Sequence, residues 1–287
     1  MMVYFSITKY KYHFSVFKKV QCIFQSCSDP SNMHLILTGA TGLIGSGVLD
    51  AMLKMKDITK ISILSRRPVA MAENAQDPRV NVIIHTDFLQ YGRNVLSQLQ
   101  GANGAVWALG VSQTKVSKDE YIKITKDYAL AGAKAFADLA PNDEPFRFIF
   151  VSGQSSTQNP GPFTNRYARV KGETELLLSE MRSSYPRLIT EAVGPGVVSE
   201  RDHAAIKPYV PDQGFFHNSA RTVLGPPVRM AFPSLDAPTE PLGKFLVEMA
   251  MGRWDRQLDE GGSDITTLKG GMRVLKNPAF LRLAGLS

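Results

Sequence analysis

The feature that most restricts the fold of this chain is a group of three glycines, Gly39, Gly42 and Gly45, directly after the apolar run LILT at 35–38. Glycine loses more backbone entropy on folding than any other residue, so a cluster of glycines marks a sharp bend or a close contact. After the last glycine, apolar residues recur with the period of a helix. The segment GATGLIG therefore predicts a tight turn between a strand and a helix.

Six apolar stretches of strand length recur along the chain, separated by segments long enough for a helix. They are LILT (35–38), KISILS (60–65), VNVIIH (80–85), GAVWAL (104–109), RFIFVS (147–152) and LITEAV (188–193). Near-continuous apolar strands that alternate with helices indicate a parallel sheet covered on both faces. We therefore expect an α/β protein over residues 33–287, with the doubly wound parallel sheet of a Rossmann fold.

Residues 195–240 differ because prolines interrupt their shorter apolar pieces. These prolines are Pro195, Pro208, Pro211, Pro226, Pro227, Pro233 and Pro238. Proline fixes φ and removes a backbone donor, so we expect a small loop-rich C-terminal substrate cap on the sheet rather than an independent domain. Its Phe215, Phe216, Met230 and Phe232 indicate either a partly hydrophobic substrate or the core of the cap itself, and the second interpretation is favoured.

The net charge of +7 raises the question of a nucleic-acid partner. Residues 1–32 contribute +3 of this charge and the remaining 255 residues contribute +4. Beyond residue 32, Arg66-Arg67 is the only pair of adjacent basic residues. DNA-binding proteins usually concentrate lysine and arginine on one face or helix, so this pattern argues against a nucleic-acid partner.

Residues 1–32 are rich in Tyr, Phe and Lys, nearly free of acid, and without a usable pattern for an ordered element. Two interpretations of this N-terminal extension stay open: a mitochondrial-type targeting segment, or an extension before a natural start at Met33. The absence of arginine favours the second. We expect a cytoplasmic protein, with the mitochondrial surface as the alternative if the extension is a targeting segment.

Cysteine content and hydropathy exclude several classes. Cys22 and Cys27 are the only cysteines and both precede the glycines, which indicates a reducing compartment and no disulfide framework. No stretch approaches the roughly 18 uninterrupted apolar residues of a membrane span. His85, His203 and His217 are too scattered relative to acids to predict a metal site. The chain also lacks the Gly-x-Ser-x-Gly elbow of a hydrolase.

The glycine turn also has the pattern of a dinucleotide site, because it follows a strand and opens a helix. One glycine permits the turn, another lets the backbone approach a pyrophosphate, and the third lets helix and strand pack closely. The helix start adds N–H donors and positive potential. The residues expected to contact the cofactor here are Gly39, Thr41, Gly42, Leu43, Ile44 and Gly45. A turn without a ligand is the less favoured alternative.

The second predicted strand ends in Ser65, Arg66 and Arg67. An NAD site usually has an acid here to bind the ribose hydroxyls, whereas a 2′-phosphate attracts arginine. The sequence therefore favours NADP, although solvated loop arginines are the alternative. Asp87 and Phe88, after the third strand, are candidates to contact the adenine ring, and a simple loop aspartate is nearly as well supported.

A tyrosine and a lysine four residues apart, Tyr167 and Lys171 in RYARVKG at 166–172, carry the predicted chemistry. On a helix both side chains lie on one face. A phenol has a pKa near 10, and a nearby ammonium stabilises the phenolate, which makes proton transfer workable. Ser152 ends the preceding predicted strand, at the edge where parallel sheets bind ligands.

Together, GATGLIG, Ser152, YARVK and the Pro195-Gly196 pair resemble the short-chain dehydrogenase/reductase superfamily, in its extended and atypical members. Ala108-Leu109-Gly110, KDYAL (126–130) and YARVKGETE (167–175) are similar to the atypical branch that includes the mammalian Tat-interacting oxidoreductase and fungal proteins. The resemblance covers about residues 33–285.

The resemblance implies NADP binding and hydride transfer. It also implies that Tyr167 is the general acid-base, that Lys171 holds the nicotinamide ribose and lowers the phenol pKa, and that Ser152 binds the substrate carbonyl. Ala108, Leu109 and Gly110 would contact the cofactor, with Pro195 and Gly196 beside its carboxamide. In many relatives the hydroxyl falls one position later, at Gly153 here, so Ser155 is a competing candidate. Residues 117–131 also lack the asparagine of a common proton relay.

Two classes of function follow. The first is an NADP-dependent oxidoreductase acting on a small carbonyl or alcohol, with a sugar-nucleotide epimerase as a less favoured variant. The second is an NADP-binding redox sensor with weak or no catalysis. The segment GMRVLKNPAFLRLAG (271–285) predicts a short amphipathic helix that Pro278 breaks or restarts. It would dock on the body of the protein or face a second subunit in a homodimer.

Overall fold

The computed structural model describes residues 33–210 and 233–286, and its parallel sheet matches the prediction. The strands are β1 (Met33–Thr38), β2 (Ile58–Ser65), β3 (Val80–Ile84), β4 (Gly104–Trp107), β5 (Phe146–Val151), β6 (Leu188–Gly194), β7 (Val197–Ser199), β8 (Asp236–Pro238), β9 (Ile265–Thr267) and β10 (Arg273–Lys276). Eight of them form one sheet in the order β3-β2-β1-β4-β5-β6-β10-β9, while β7 and β8 pair separately. Only β9 is antiparallel to its neighbour.

Helices connect the strands and cover both faces of the sheet. They are α1 (Leu43–Lys54), α2 (Ala70–Ala75), α3 (Arg93–Leu99), α4 (Lys118–Ile122), α5 (Tyr128–Phe136), α6 (Arg166–Glu180), α7 (Thr239–Ala250), α8 (Asp255–Asp259) and α9 (Asn277–Leu283). A five-residue π-helical segment, Lys123–Asp127, joins α4 to α5. The expected fold class, a doubly wound α/β Rossmann fold, is confirmed.

Alternate residues of the central strand enter two hydrophobic cores. Leu35 and Leu37 of β1 pack in one core with Val48 of α1 and Phe245 of α7. Ile36 faces the opposite side, in a core with the rings of Trp107, Phe136 and Phe148. Because strand side chains alternate between the faces, burying both faces requires the near-continuous apolar strands seen in the sequence.

The order of the strands determines where the site lies. The chain extends the sheet in one direction through β1, β2 and β3, then returns to place β4 on the other side of β1. In such sheets ligands bind at the carboxyl ends of the strands, where the order reverses. The glycine turn follows β1 at this point.

The C-terminal segment differs from the prediction of one amphipathic helix. Residues Arg273–Lys276 form β10, which pairs with β6, and α9 begins at Asn277 with Pro278 in its first turn. Proline is tolerated there because the first N–H groups of a helix have no intrahelical partner. Pro278 therefore starts a helix rather than interrupting one.

The predicted cap lies partly within the described residues. Residues 195–210 contain β7 and the 3₁₀ turn Ala204–Tyr209, and residues 233–240 contain β8. Phe215, Phe216, Met230 and Phe232 lie outside the described residues, as do residues 1–32 of the extension. In residues 33–210 and 233–286, no helix combines the length and apolar character needed to cross a membrane.

The contact of α1 with α7 depends on two glycines and gives a stability prediction. A Cβ atom at Gly243 would lie 2.3 Å from the backbone oxygen of Gly47, which cannot move without shifting α1. We expect Gly243→Ala to lower the free energy of unfolding by about 1–3 kcal/mol, because overpacking outweighs the helix propensity of alanine. Denaturant-induced unfolding measures this change in the free energy of unfolding.

Gly110→Ala is the matched control, because a Cβ atom at Gly110 meets no other atom within 4 Å. The same unfolding midpoint for Gly243→Ala, Gly110→Ala and the wild type would contradict this account of the helix contact.

Candidate cofactor and active site

Two of the three glycines are required by the packing of the turn itself. Gly39 has φ of +75°, and a Cβ atom there would lie 2.4 Å from the carbonyl oxygen of Ala108, after β4. A Cβ atom at Gly45 would lie 2.0 Å from the carbonyl oxygen of Gly39. Side chains at these positions would separate the turn from β4 and from α1.

Gly42 is less crowded than the other two glycines. A Cβ atom there would approach only the carbonyl oxygen of Gly39, at 3.3 Å. Gly42 is the N-cap of α1, and among the described residues no side chain caps this helix. The start of α1 thus keeps its positive potential without a capping side chain. A small anion fits this arrangement.

A cavity of about 380 Å³ opens next to the turn. Its lining residues are Gly39, Thr41, Leu64, Ser65, Arg66, Arg67, Phe88 and Leu109. The Ser65 hydroxyl donates to the backbone oxygen of Arg67 at 2.7 Å, which fixes the turn that carries both arginines. Arg66 and Arg67 are exposed, and neither forms an ion pair with another described residue.

The predicted adenine contacts differ in exposure. Phe88 lines the cavity but is buried, with its ring edge-on to Trp107 at a centroid distance of 6.0 Å. Asp87 is exposed, and its Oδ1 accepts a hydrogen bond from the Leu89 amide at 3.0 Å. The second carboxylate oxygen of Asp87 remains accessible for a ligand.

The residues after β4 and β6 lie at the same edge of the sheet. Ala108 contacts the glycine turn, Leu109 lines the cavity and Gly110 is exposed. The carbonyl of Pro195 accepts a hydrogen bond from the Gln154 amide at 3.0 Å, so this loop adjoins the one after β5. The Gly196 amide donates to the side chain of Asn277 at 2.9 Å.

Tyr167 and Lys171 occupy the first two turns of α6, whose N-cap Asn165 accepts a hydrogen bond from the Ala168 amide. The Tyr167 hydroxyl lies against Gly153, where a Cβ atom would be 1.8 Å from it. The Lys171 ammonium donates to the backbone oxygen of Val151 at 2.7 Å. The two side chains therefore meet the end of β5, as the shared helix face predicts.

Burial dominates the acid-base properties of this pair. It raises the pKa of Tyr167 to about 12, with further contributions from Tyr121 and Glu175. It also lowers the pKa of Lys171 to about 8, against an opposing effect of Glu175. The net shift of the phenol pKa is therefore upward, because desolvation penalises the phenolate, whereas the resemblance implies a lowering by Lys171.

The hydroxyl of Ser152 is hydrogen-bonded within the protein. It donates to Oε1 of Glu175, a buried carboxylate on α6 that also accepts from the Ser156 hydroxyl at 2.8 Å. A hydroxyl has one proton, so Ser152 cannot donate to Glu175 and to a substrate at once. Ser155, the competing candidate, is exposed.

Glu175 was missed by the sequence reasoning, although its spacing could have indicated it. It follows Lys171 by four residues and Tyr167 by eight, so all three share a helix face. The π-helical segment was also missed. It carries Thr125, whose buried hydroxyl has no hydrogen-bond partner among the described residues, and such segments often occur at functional sites.

One histidine lies closer to acids than its position in the sequence indicates. The ring of His203 bonds Asp50 at 2.9 Å and Thr239 at 3.0 Å, and ligand atoms of His203, Asp50 and Glu240 lie within 4.8 Å of one another. The Lys54 ammonium already bridges the two carboxylates, at 2.7 Å and 3.0 Å. His203 is thus a buried structural residue that ties the cap to α1.

Comparisons with known proteins give several sequence relatives, while no protein-family model matches the chain. Botcinic acid biosynthesis cluster B protein 16 of Botryotinia fuckeliana is 38% identical over 160 residues, 55% of this chain and 99% of that protein. Leucinostatins biosynthesis cluster protein T of Purpureocillium lilacinum is 45% identical over 120 residues, 42% of each chain. The mitochondrial protein fmp52 of Emericella nidulans is 27% identical over 143 residues, 50% of this chain and 58% of that protein. The chain therefore spans less than two thirds of the last two relatives.

Solved structures share the fold at low sequence identity. An oxidoreductase of the short-chain dehydrogenase/reductase family from Burkholderia thailandensis superposes with a TM-score of 0.61 and 13% identity, over 86% of this chain and 92% of that one. The structure of BdcA in complex with NADPH superposes with a TM-score of 0.56 and 13% identity, over 86% of this chain and 93% of that one. At such identities the likeness concerns the fold.

The strand order, the glycine turn and these neighbours define the class of NAD(P)-type Rossmann proteins related to oxidoreductases. The chain belongs to the short-chain dehydrogenase/reductase superfamily, in its atypical branch, as its motifs indicate.

Proposed function

We propose that the protein is an NADP-dependent oxidoreductase of the short-chain dehydrogenase/reductase type, acting on a small carbonyl or alcohol substrate. The observation that carries this proposal is the cavity beside the glycine turn, which is lined by Gly39 and Thr41, just before an uncapped helix start, and by two exposed arginines. Tyr167 and Lys171 lie at the same carboxyl edge of the sheet. These two observations support the binding of a dinucleotide along this edge.

NADP is preferred to NAD because of the charge after β2. The sequence there is Ser65-Arg66-Arg67, without an acid that would repel a 2′-phosphate. Arginine recognises phosphate through paired N–H groups, and the Ser65 hydroxyl holds this turn in place. Thr41 and the amides of Gly42, Leu43 and Ile44 would bind the pyrophosphate, and Asp87 the adenine amino group.

In this proposal the chain's own residues move the proton. When bound, the cofactor supplies or accepts the hydride. Tyr167, with a pKa of about 12, stays protonated at neutral pH and can donate its phenolic proton to a carbonyl oxygen. Lys171 would hold the nicotinamide ribose once it leaves Val151, and Pro195 with Gly196 would flank the carboxamide. Ser152 would contact the substrate only after turning from Glu175.

A redox sensor that binds NADP without turnover is the second candidate. The bond from Ser152 to Glu175 favours it, because the expected substrate donor is already engaged. In contrast, two relatives are named for the biosynthesis clusters of botcinic acid and leucinostatins, which favours action on a small organic substrate. An epimerase-type use of the same tyrosine is less favoured.

We propose that the protein acts in the cytoplasm, or on mitochondria as the name of the relative fmp52 indicates. We also propose that it forms a homodimer.

The arginines give a test of cofactor choice. We expect the double variant Arg66→Ala/Arg67→Ala to weaken NADPH binding at least tenfold while leaving NADH binding within about twofold, because only NADPH carries the 2′-phosphate. Calorimetric titration measures both. Arg256→Ala, an exposed arginine on α8, is the control. Equal weakening for the two nucleotides would count against the assignment of the 2′-phosphate.

The tyrosine gives a test of catalysis. With NADPH and a panel of carbonyl compounds, Tyr167→Phe should lose turnover by about 10²-fold or more, the usual contribution of an acid-base group, while NADPH affinity stays the same. Tyr185→Phe, a change elsewhere in the fold, should keep turnover. Unchanged turnover in Tyr167→Phe would remove this tyrosine from the mechanism. NADPH binding by a wild type that turns over none of the panel would favour the sensor.

A further inference from the structure

A fully buried carboxylate lies one helical turn beyond Lys171. Glu175 has no solvent exposure, and its two oxygens accept hydrogen bonds from the side chains of Ser152, Ser156 and Gln158. Lys276 of β10 donates to the hydroxyl of Ser156 at 2.8 Å. We name these five residues the Glu175 cluster.

The donors around Glu175 are neutral. Within residues 33–210 and 233–286, no lysine or arginine nitrogen lies within 4 Å of its carboxylate. A buried carboxylate is costly unless it is hydrogen-bonded and a cation compensates its charge. The hydroxyls and the amide supply the hydrogen bonds but no charge. Lys171 and Lys276 are the lysines on which this carboxylate acts from further away.

Lys171 is a buried ammonium whose positive charge also requires compensation. Its side chain is buried, and its ammonium has one hydrogen-bond acceptor, Val151, and lies 4.6 Å from the centre of the Phe150 ring. A carbonyl dipole and an aromatic face attract a cation without neutralising it. Glu175 lies four residues after Lys171, on the same face of α6, and its side chain is buried.

We propose that Glu175 is a positioning residue that keeps the buried Lys171 protonated and, through Ser152, Ser156 and Gln158, fixes the loop after β5. The importance of this role for catalysis rests on the proposed function, in which Lys171 acts, but the role itself concerns the protein without cofactor. Glu175 touches neither substrate nor cofactor in this account.

The charged and titratable groups around the pair agree with this role. Burial lowers the pKa of Lys171 to about 8, and Glu175 is the one charge that raises it. Lys276 faces the cluster from β10, and Glu175 acts on its pKa in the same direction. Tyr167 faces Lys171 from the same helix, and its phenol is neutral at pH 7. Burial thus brings the pKa of Lys171 toward neutral pH, and the charge of Glu175 opposes this shift.

The test is a titration of lysines in the cofactor-free full chain labelled with ¹³C at lysine Cε. One signal should titrate near pH 8 and disappear in Lys171→Met. In Glu175→Gln its midpoint should fall by about one unit or more, because the loss of an opposite charge favours the neutral amine. In Glu175→Asp, which keeps the charge, the fall should be smaller. Glu180→Gln, an exposed change on the same helix, should leave the midpoint unchanged.

An unchanged or higher Lys171 midpoint in a folded Glu175→Gln variant would overturn the proposal. If that variant does not fold, ¹³C labelling of glutamate in the wild type decides, because a protonated Glu175 at pH 7 would equally overturn it. Neither measurement involves turnover. A failure of this inference is therefore distinguishable from a failure of the oxidoreductase proposal, which the activity of Tyr167→Phe tests.

Discussion

The structure depends on one close backbone contact, between the glycine turn and the chain that leaves β4. The α-carbon of Gly39 faces the carbonyl of Ala108 at a distance that excludes any side chain, and Gly45 packs on Gly39 in the same way. This contact brings β1, β4 and the start of α1 together where the strand order reverses. The uncapped start of α1 and the neighbouring cavity lie at this same point of the sheet.

The second half of the site depends on burial rather than on backbone contact. The pKa values of Tyr167 and Lys171 move in opposite directions, to about 12 and about 8, since desolvation penalises the phenolate and the ammonium alike. Both side chains therefore favour their uncharged forms more strongly than they do in water. The buried Glu175 opposes this effect at Lys171, so one helix carries the phenol, the ammonium and the carboxylate that acts on the ammonium.

Much of the fold could be predicted because the sheet is buried on both faces. Six of its seven parallel strands are near-continuous apolar runs that a local sequence pattern detects. Four-residue β10 was missed, since its order comes from pairing with β6 rather than from its own sequence. The parts of the candidate site that depend on residues close in sequence could be predicted, such as the glycine turn and the four-residue spacing of Tyr167 and Lys171. The hydrogen bonds of Ser152 to Glu175 and of His203 to Asp50 could not be predicted, because they join residues 23 and 153 positions apart.

The most direct test of the central claim, that the uncapped start of α1 holds a cofactor pyrophosphate, is amide chemical-shift mapping during titration of the ¹⁵N-labelled chain with NADPH. The account predicts saturable shifts that are largest at the amides of Gly42, Leu43 and Ile44. Shifts confined to other parts of the chain, or none up to millimolar NADPH, would contradict it.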